Sequence, residues 1–237
     1  MSAITNILKE NAANYGILLT EGQLLQFDRY AQLLLEWGAR MNLTAIKDEE
    51  GIALKHFLDS ILLVHKVAIP EGTKMIDVGC GAGFPGIPAK IVRPDLELTL
   101  CDGTGKKVTF LREVVKDIHI TAQPLHARAE ELGRTPEHRE QYGAATARAV
   151  AHLRELSEYC LPFVKVGGIF AAMKSGNIDT ELCEAQKAVR ELGGSIEEVV
   201  RFSLPGDNER SVVMIKKISQ TAPKYPRPYA KMTKSPL

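Results

Sequence analysis

Between residues 75 and 91 the chain reads MIDVGCGAGFPGIPAKI. Four glycines, Gly79, Gly81, Gly83 and Gly86, fall within eight positions, directly after a short apolar run. Glycine takes positive φ without a steric penalty and lets a ligand come close to the backbone. A carboxylate stands at the end of each of two neighbouring apolar segments: Asp77 in MIDV and Asp102 in ELTLCD. Asp102 lies about 20 residues beyond the glycines, where a carboxylate can accept hydrogen bonds from both hydroxyls of a ribose. The chemistry implied is the binding of a nucleoside-containing cofactor. Gly81, Gly83 and Gly86 satisfy G-x-G-x-x-G, the dinucleotide fingerprint that sets a pyrophosphate at a helix N-terminus. A tight turn with no ligand is the plain structural alternative.

These residues need a strand, a turn and a helix to hold them, and the surrounding sequence supplies that order. KMIDVG (74–79) reads as a strand and PGIPAKIV as a short helix stopped before Pro94. Further strands are expected at 97–102, 120–125, 142–150 and 167–174, with helices at 104–118, 152–164 and 180–192. Thr104 is a candidate cap. SIEEVVRFSL and RSVVMIKKI, joined by PGDNE, read as an antiparallel hairpin at one edge. This alternation predicts an α/β fold with a mostly parallel sheet and helices on both faces. Residues 4–67 read as helical: Leu24, Phe27, Leu34 and Trp37 recur at helical spacing. Thr20 with Gln23 suggests a capping box, and Asp48 caps the helix that begins DEEG. IPEG (69–72) breaks the pattern, giving a helical region 1–70, a body 71–219 and a tail 220–237.

Read from Asp77, the glycine segment is D-x-G-x-G-x-G, which resembles motif I of class I S-adenosylmethionine-dependent methyltransferases. The strand stops at Gly79, two residues earlier than the dinucleotide pattern wants. Asp77 would then face the cofactor, where a carboxylate suits a cationic methionine moiety. Asp102 serves either cofactor and does not discriminate.

A wider set of motifs occurs here in one order: NLTAI, KHFLDS, DVGCGAGFPGIP, CDGTGKKVTFL, ARAEEL, TARAVAHL and YPR…KSPL. Together they resemble the RsmG/GidB family of small-subunit ribosomal RNA guanine-N7 methyltransferases, from about residue 30 to the C-terminus. The resemblance implies a class I, Rossmann-like methyltransferase domain with an N-terminal helical extension, S-adenosylmethionine as cofactor, and 16S ribosomal RNA or the small subunit as partner. It implies that Gly79 and Phe84 contact the cofactor, with Gly81 and Gly83 shaping the turn. It also implies Asp102 as ribose partner and Ala129 and Glu130 as adenine-side contacts. Arg148 would stand at the methyl-donor end of the pocket; its structural alternative is an ion pair with Asp77 or Glu130. Other readings remain: a methyltransferase for a small molecule or protein, a nicotinamide-dependent oxidoreductase, or a cofactor-binding protein without catalysis.

Guanine N7 carries an in-plane lone pair and no hydrogen, so its methylation needs positioning and no catalytic base. RNA affinity must come from local clusters, because the 237 residues carry a net charge of only +1. After Glu209 no acidic residue follows, while Arg210, Lys216, Lys217, Lys224, Arg227, Lys231 and Lys234 alternate with Tyr225 and Tyr229. That tail suits phosphate and base contacts, or it is a solubilising disordered end. Lys106, Lys107 and Arg112 form a second basic group, read as a solvated helix face, and Arg128 is a further candidate site residue. His56 and Asp59, one helical turn apart, either pack the N-terminal helices onto the body or line the substrate cleft. The four cysteines show no C-x-x-C and no zinc spacing, so a reduced cytoplasmic setting without a metal is expected. With no basic-then-apolar leader and no run of ~20 apolar residues, no membrane role is expected. Nothing in the sequence demands more than a monomer.

Overall fold

Both expected helix caps in the N-terminal region form. The computed structural model describes residues 2–148, 151–206 and 208–237. Helix α1 (Ala3–Ala13) leads to α2 (Glu21–Gly38), where the Thr20 hydroxyl accepts from the Gln23 N–H at 3.2 Å and Gln23 Oε1 accepts from the Thr20 N–H at 2.9 Å. Asp48 accepts from the Gly51 N–H at 2.7 Å and starts α3 (Glu49–Gly51). That helix runs on as a π-helical stretch, Ile52–Leu58, and then as α4 (Asp59–Lys66). The widened turn, with the Asp59 N–H donating to the carbonyl of Leu54, is a difference from the regular helix expected. Such widenings gather at functional sites, and this one carries His56 and delivers Asp59.

The body alternates β1 (Lys74–Val78), α5 (Gly86–Val92), β2 (Glu97–Asp102), α6 (Gly105–Asp117), β3 (Ala122–His126), α7 (Ala129–Leu132) and β4 (Tyr142–Arg148). It continues with α8 (Leu153–Cys160), β5 (Val164–Ser175), α9 (Asp179–Glu191), β6 (Gly194–Leu204), β7 (Asn208–Lys217) and α10 (Tyr229–Lys234). Ala149 and Val150, expected to end the fourth strand, lie outside the described residues. Helix α8 is shorter than expected because Pro162 lies in a 3₁₀ turn, Leu161–Phe163, that closes it. Thr104 stands at the start of α6 but makes no side-chain cap; the Asp102 carboxylate already accepts its N–H at 2.8 Å.

The seven strands are ordered β3-β2-β1-β4-β5-β7-β6, parallel except for β7, which pairs antiparallel with β5 and β6. Pro124 is tolerated because β3 is an edge strand. The chain order reverses between β1 and β4, and ligands of open α/β sheets bind beyond the carboxyl ends of strands at that switch. Asp77, Asp102 and Arg148 all lie at those ends.

One face of the sheet is covered by the N-terminal helices, whose Leu8, Phe27, Tyr30 and Phe57 share a core with Leu100, Phe110 and Val114. Each such side chain contributes about 1.5–3 kcal/mol by leaving water. The Tyr30 hydroxyl donates to the carbonyl of Ala82 inside the glycine loop, so α2 braces that loop directly. The other face packs α8 and α9 against Phe170, Val213 and Ile215.

The tail is docked. Lys217 is fully buried and donates to the Leu161 carbonyl and Thr221 Oγ1 at 2.7 Å, with Glu140 at 3.0 Å. Arg227 holds buried Glu158 at 2.6 and 2.8 Å. Arg139 donates to the carbonyls of Thr221 and Tyr225. Of the seven cations expected to form an RNA-facing tail, Arg210, Lys217 and Arg227 are therefore ion-paired within the fold, to Asp59, Glu140 and Glu158. Lys224, Lys231, Lys234 and Tyr229 stay exposed.

Removing one member of a buried ion pair leaves the other uncompensated, at about 3–5 kcal/mol. In Arg227→Ala, Glu158 would be so stranded. Hydrogen exchange is expected to show residues 225–235 unprotected while the sheet keeps its protection.

Candidate active site

The turn after β1 is held by two carboxylates. Gly81, at φ +59°, donates its N–H to Asp102 Oδ2 at 2.9 Å, and Gly86 donates to Asp77 Oδ2 at 2.7 Å. The Gly79 N–H donates to the Cys101 carbonyl at 2.8 Å, continuing the sheet one step into the loop. Gly83 sits at φ +97°, and a methyl there would stand 2.5 Å from Ile87 and 2.8 Å from the Tyr30 hydroxyl. Gly81 is different: among the described residues a methyl would meet nothing within 4 Å.

A cavity of about 210 Å³ opens beside this turn. Gly79, Asp102, Arg128, Ala129, Glu130, Tyr159 and Tyr229 are among the residues that line it. Each Asp102 oxygen accepts one backbone N–H, from Gly81 or Thr104, and keeps a second lone pair. That donor set fits a nucleoside: an acceptor pair for a ribose diol, small Ala129 beside a flat base, and two phenol rings.

Asp77 lies beneath the turn, fully buried, and is not on the cavity wall. Among the described residues its Oδ1 has no hydrogen-bond partner. Burial pushes its pKa up to about 7, against the Gly86 N–H and Arg148, which pull it down. An anionic oxygen left unpaired under the loop suits a cation bound above it.

A second cavity of about 540 Å³ adjoins the first through Ala151. Lys55, His56, Asp59, Arg148, Lys174 and Arg210 give it its polar wall. The Arg148 guanidinium lies 5.0 Å over the Phe84 ring and donates to Asp59 Oδ2 at 3.2 Å, to the Lys55 carbonyl at 3.1 Å and to His56 Nδ1 at 3.3 Å. Burial, then Arg148, lowers His56 to about 4, so its ring is neutral at pH 7. With Nδ1 accepting, the proton is assigned to Nε2, 2.7 Å from Thr44 Oγ1. Burial raises the Asp59 pKa, and Arg148 and Arg210 oppose it.

The structure thus divides the expected site residues. Gly79, Asp102, Ala129 and Glu130 meet at the smaller cavity, and Arg148 lines the larger. Asp77, Gly83 and Phe84 stand behind the loop, and Phe84 is enclosed by Tyr30, His56 and Arg148. The expected structural pairing of Arg148 with Asp77 or Glu130 is corrected: its carboxylate is Asp59, brought there by the π-helical turn, while the loop covers Asp77. Lys106 and Arg112 are exposed on α6, as a solvated face requires. Tyr159 escaped the sequence reading, which places Tyr229 and Arg210 only in a basic tail, since only folding brings these distant positions to the cavities.

The rRNA small subunit methyltransferase G (GidB) family model matches residues 23–213. The chain is 46% identical over 240 residues to ribosomal RNA small subunit methyltransferase G of Pelotomaculum thermopropionicum, covering 100% of both chains. It is 48% identical over 236 residues to the protein of that name from Acetivibrio thermocellus, covering 99% of this chain and 97% of that one. In fold it is similar to the geranyl diphosphate C-methyltransferase of Streptomyces coelicolor, at a TM-score of 0.54 and 11% identity over 68% of this chain and 79% of the other. The Bacillus subtilis YcgJ protein gives 0.53 and 13%, over 69% of this chain and 100% of that one. Among the described residues no helix is long and apolar enough to cross a membrane.

Asp77 has a consequence for stability. Its folded pKa of about 7 exceeds the ordinary 3.8, so the folded chain binds this proton more tightly than the unfolded one. The resulting stability is full below about pH 4 and is lost as pH rises to about 7. Asp77→Asn keeps an acceptor for Gly86 and cannot ionise. Its urea midpoint, relative to the parent protein, is expected to rise steadily across that window; a constant difference contradicts the assignment.

Proposed function

Because the chain belongs to the rRNA small subunit methyltransferase G family, we infer that it transfers the methyl group of S-adenosylmethionine to N7 of a guanine in 16S ribosomal RNA. The observation that carries the reading is Asp102: a strand-end carboxylate that shapes the glycine turn and still offers two lone pairs to a nucleoside-sized cavity. The family relation stands against a nicotinamide-dependent oxidoreductase and against a methyltransferase for a small molecule or protein.

The residues present fit the cofactor. Asp102 would accept its ribose hydroxyls, and Gly79, Ala129 and Glu130 would flank its adenosine. Tyr159 and Tyr229 would exclude water. Asp77 would set a negative charge beneath its cationic end, braced by Phe84 and Gly83 behind the turn. When bound, S-adenosylmethionine supplies an electrophilic methyl group.

The chain's own work is alignment. N7 has no proton to lose, so no side chain is assigned as a base, and both nitrogens of neutral His56 are engaged. Arg148, Arg210 and the exposed Lys55 make the larger cavity electropositive, which favours RNA phosphates. A base withdrawn from its stack would enter there. Exposed Lys224, Lys231 and Lys234 extend the positive surface along the tail. We read residues 71–219 as the cofactor-binding body. Segments 1–70 and 220–237 complete its site, through His56 and Asp59 on one side and Tyr229 on the other. The unpaired cysteines suit a cytoplasmic enzyme, and the protein is read as a monomer acting on the small subunit.

Small subunits from cells lacking the protein, incubated with it and methyl-labelled cofactor, should gain label at one 16S guanine. Chemical cleavage specific for N7-methylguanine identifies the atom; label on another atom, or only on protein, overturns the assignment. Asp102→Ala removes acceptors for two hydroxyls, each charge-assisted bond being worth about 1.5–3 kcal/mol. Calorimetry should find S-adenosylhomocysteine binding weakened by at least tenfold, and unchanged affinity would remove Asp102 from the site.

A further inference from the structure

The larger cavity contains a carboxylate whose geometry is incomplete. Asp59 is 3% exposed and sits between two guanidinium groups. Its Oδ2 accepts from Arg148 at 3.2 Å. Its Oδ1 is enclosed, with Arg210 Nε at 3.3 Å, within ion-pair distance, and no donor among the described residues is aligned to form a hydrogen bond. Leaving a buried charged acceptor unsatisfied costs more than the ~1–3 kcal/mol of a neutral group. A purely structural ion pair would close both oxygens. Here one oxygen lacks an aligned donor, and Asp59 lines a cavity of about 540 Å³, within the range that small ligands occupy.

We propose that Asp59 reads the Watson–Crick edge of the target guanine. The inference rests on the guanine-N7 reading above and deepens it by naming the residue that selects the base. Around the rim of guanine the groups run in order: the exocyclic N2 amine, N1–H, O6 and N7. A carboxylate accepts from N2 and N1–H together. A guanidinium immediately beside that carboxylate donates to O6. Asp59 flanked by Arg148 and Arg210 presents this order, acceptor next to donor. N7, the next atom along the rim, is then left without a donor, as an attacking lone pair requires.

Adenine inverts the pattern. It offers a lone pair at N1, where the carboxylate repels it, and an amine at N6, where a guanidinium opposes it. Sites built to hydrogen-bond a particular group discriminate strongly against an analogue that leaves them unpaired. The neighbouring groups fix the reader: Arg148 is held over Phe84 and by neutral His56, whose own ring stacks on Phe84 at 4.4 Å.

The test uses small subunits reconstituted with 16S rRNA carrying either guanine or inosine at the methylated position. Inosine keeps N1–H, O6 and N7 and lacks only the exocyclic amine. With the unaltered enzyme, kcat/KM is expected to fall about tenfold or more on inosine, the loss of one charge-assisted bond. In Asp59→Asn the side-chain amide faces the exocyclic amine with a donor, so the guanine-to-inosine ratio should drop to one or below. In Asp59→Ala it should approach one. A structural role for Asp59 would lower both rates together and leave the ratio unchanged. Calorimetry with S-adenosylhomocysteine reports whether each variant keeps its cofactor site. Equal rates of the unaltered enzyme on guanine and inosine overturn the proposal without any variant. So does a ratio that persists in an Asp59 variant that still binds S-adenosylhomocysteine. An unaltered enzyme that methylates no guanine at N7 overturns the functional reading as well, which separates the two failures.

Discussion

The site depends on carboxylates at strand ends holding the N–H groups of a glycine turn. Asp102 takes Gly81 and Thr104, and Asp77 takes Gly86. Without them the turn would leave several donors exposed to a nearly dry interior, at a cost of a few kcal/mol. With them the turn is rigid before any ligand arrives. The same constraint shapes the charges: burial raises the Asp77 pKa to about 7, against the Gly86 N–H and Arg148, which lower it.

The helices outside the sheet complete the site. Helix α2 braces the turn through Tyr30, whose ring also stacks on Phe84 at 5.4 Å. The π-helical stretch brings His56 and Asp59 against the end of β4, where Arg148 emerges. Arg148 therefore joins three layers: the sheet that bears it, the loop aromatic it covers and the helix carboxylate it pairs with. Hydrogen-bonded groups in a low-dielectric cleft interact more strongly than in water, so these contacts hold Arg148 firmly in place. At the other side, the tail is fastened through Arg227–Glu158 and Lys217–Glu140, which delivers Tyr229 to the smaller cavity. Basic residues that a linear reading assigns to RNA thus serve the fold, and the electropositive surface is left to fewer, better-placed cations.

Much of this was legible in the residues. Strand–turn–helix alternation follows from local apolar runs and from glycine and proline positions, which depend on near neighbours. The caps at Thr20 and Asp48 are likewise local, as is the pairing of a glycine turn with a carboxylate at the end of the next strand. The motif order sufficed to indicate the family, the cofactor class and the strand-end positions of Asp77, Asp102 and Arg148.

What sequence alone could not decide is which side chain meets which across the fold. Asp59 and Arg148 are far apart in the chain, and a helix that widens to π geometry changes which residues share a face, with no periodic signal to mark it. Tyr159 and Tyr229 lie on segments joined only by tail docking, and Arg227 looked like a free cation until its buried carboxylate was in view. Local preferences set the elements; contact between distant elements, driven by burial and by the pairing of buried carboxylates such as Asp59 and Glu158, set the two cavities and the chemistry of their walls.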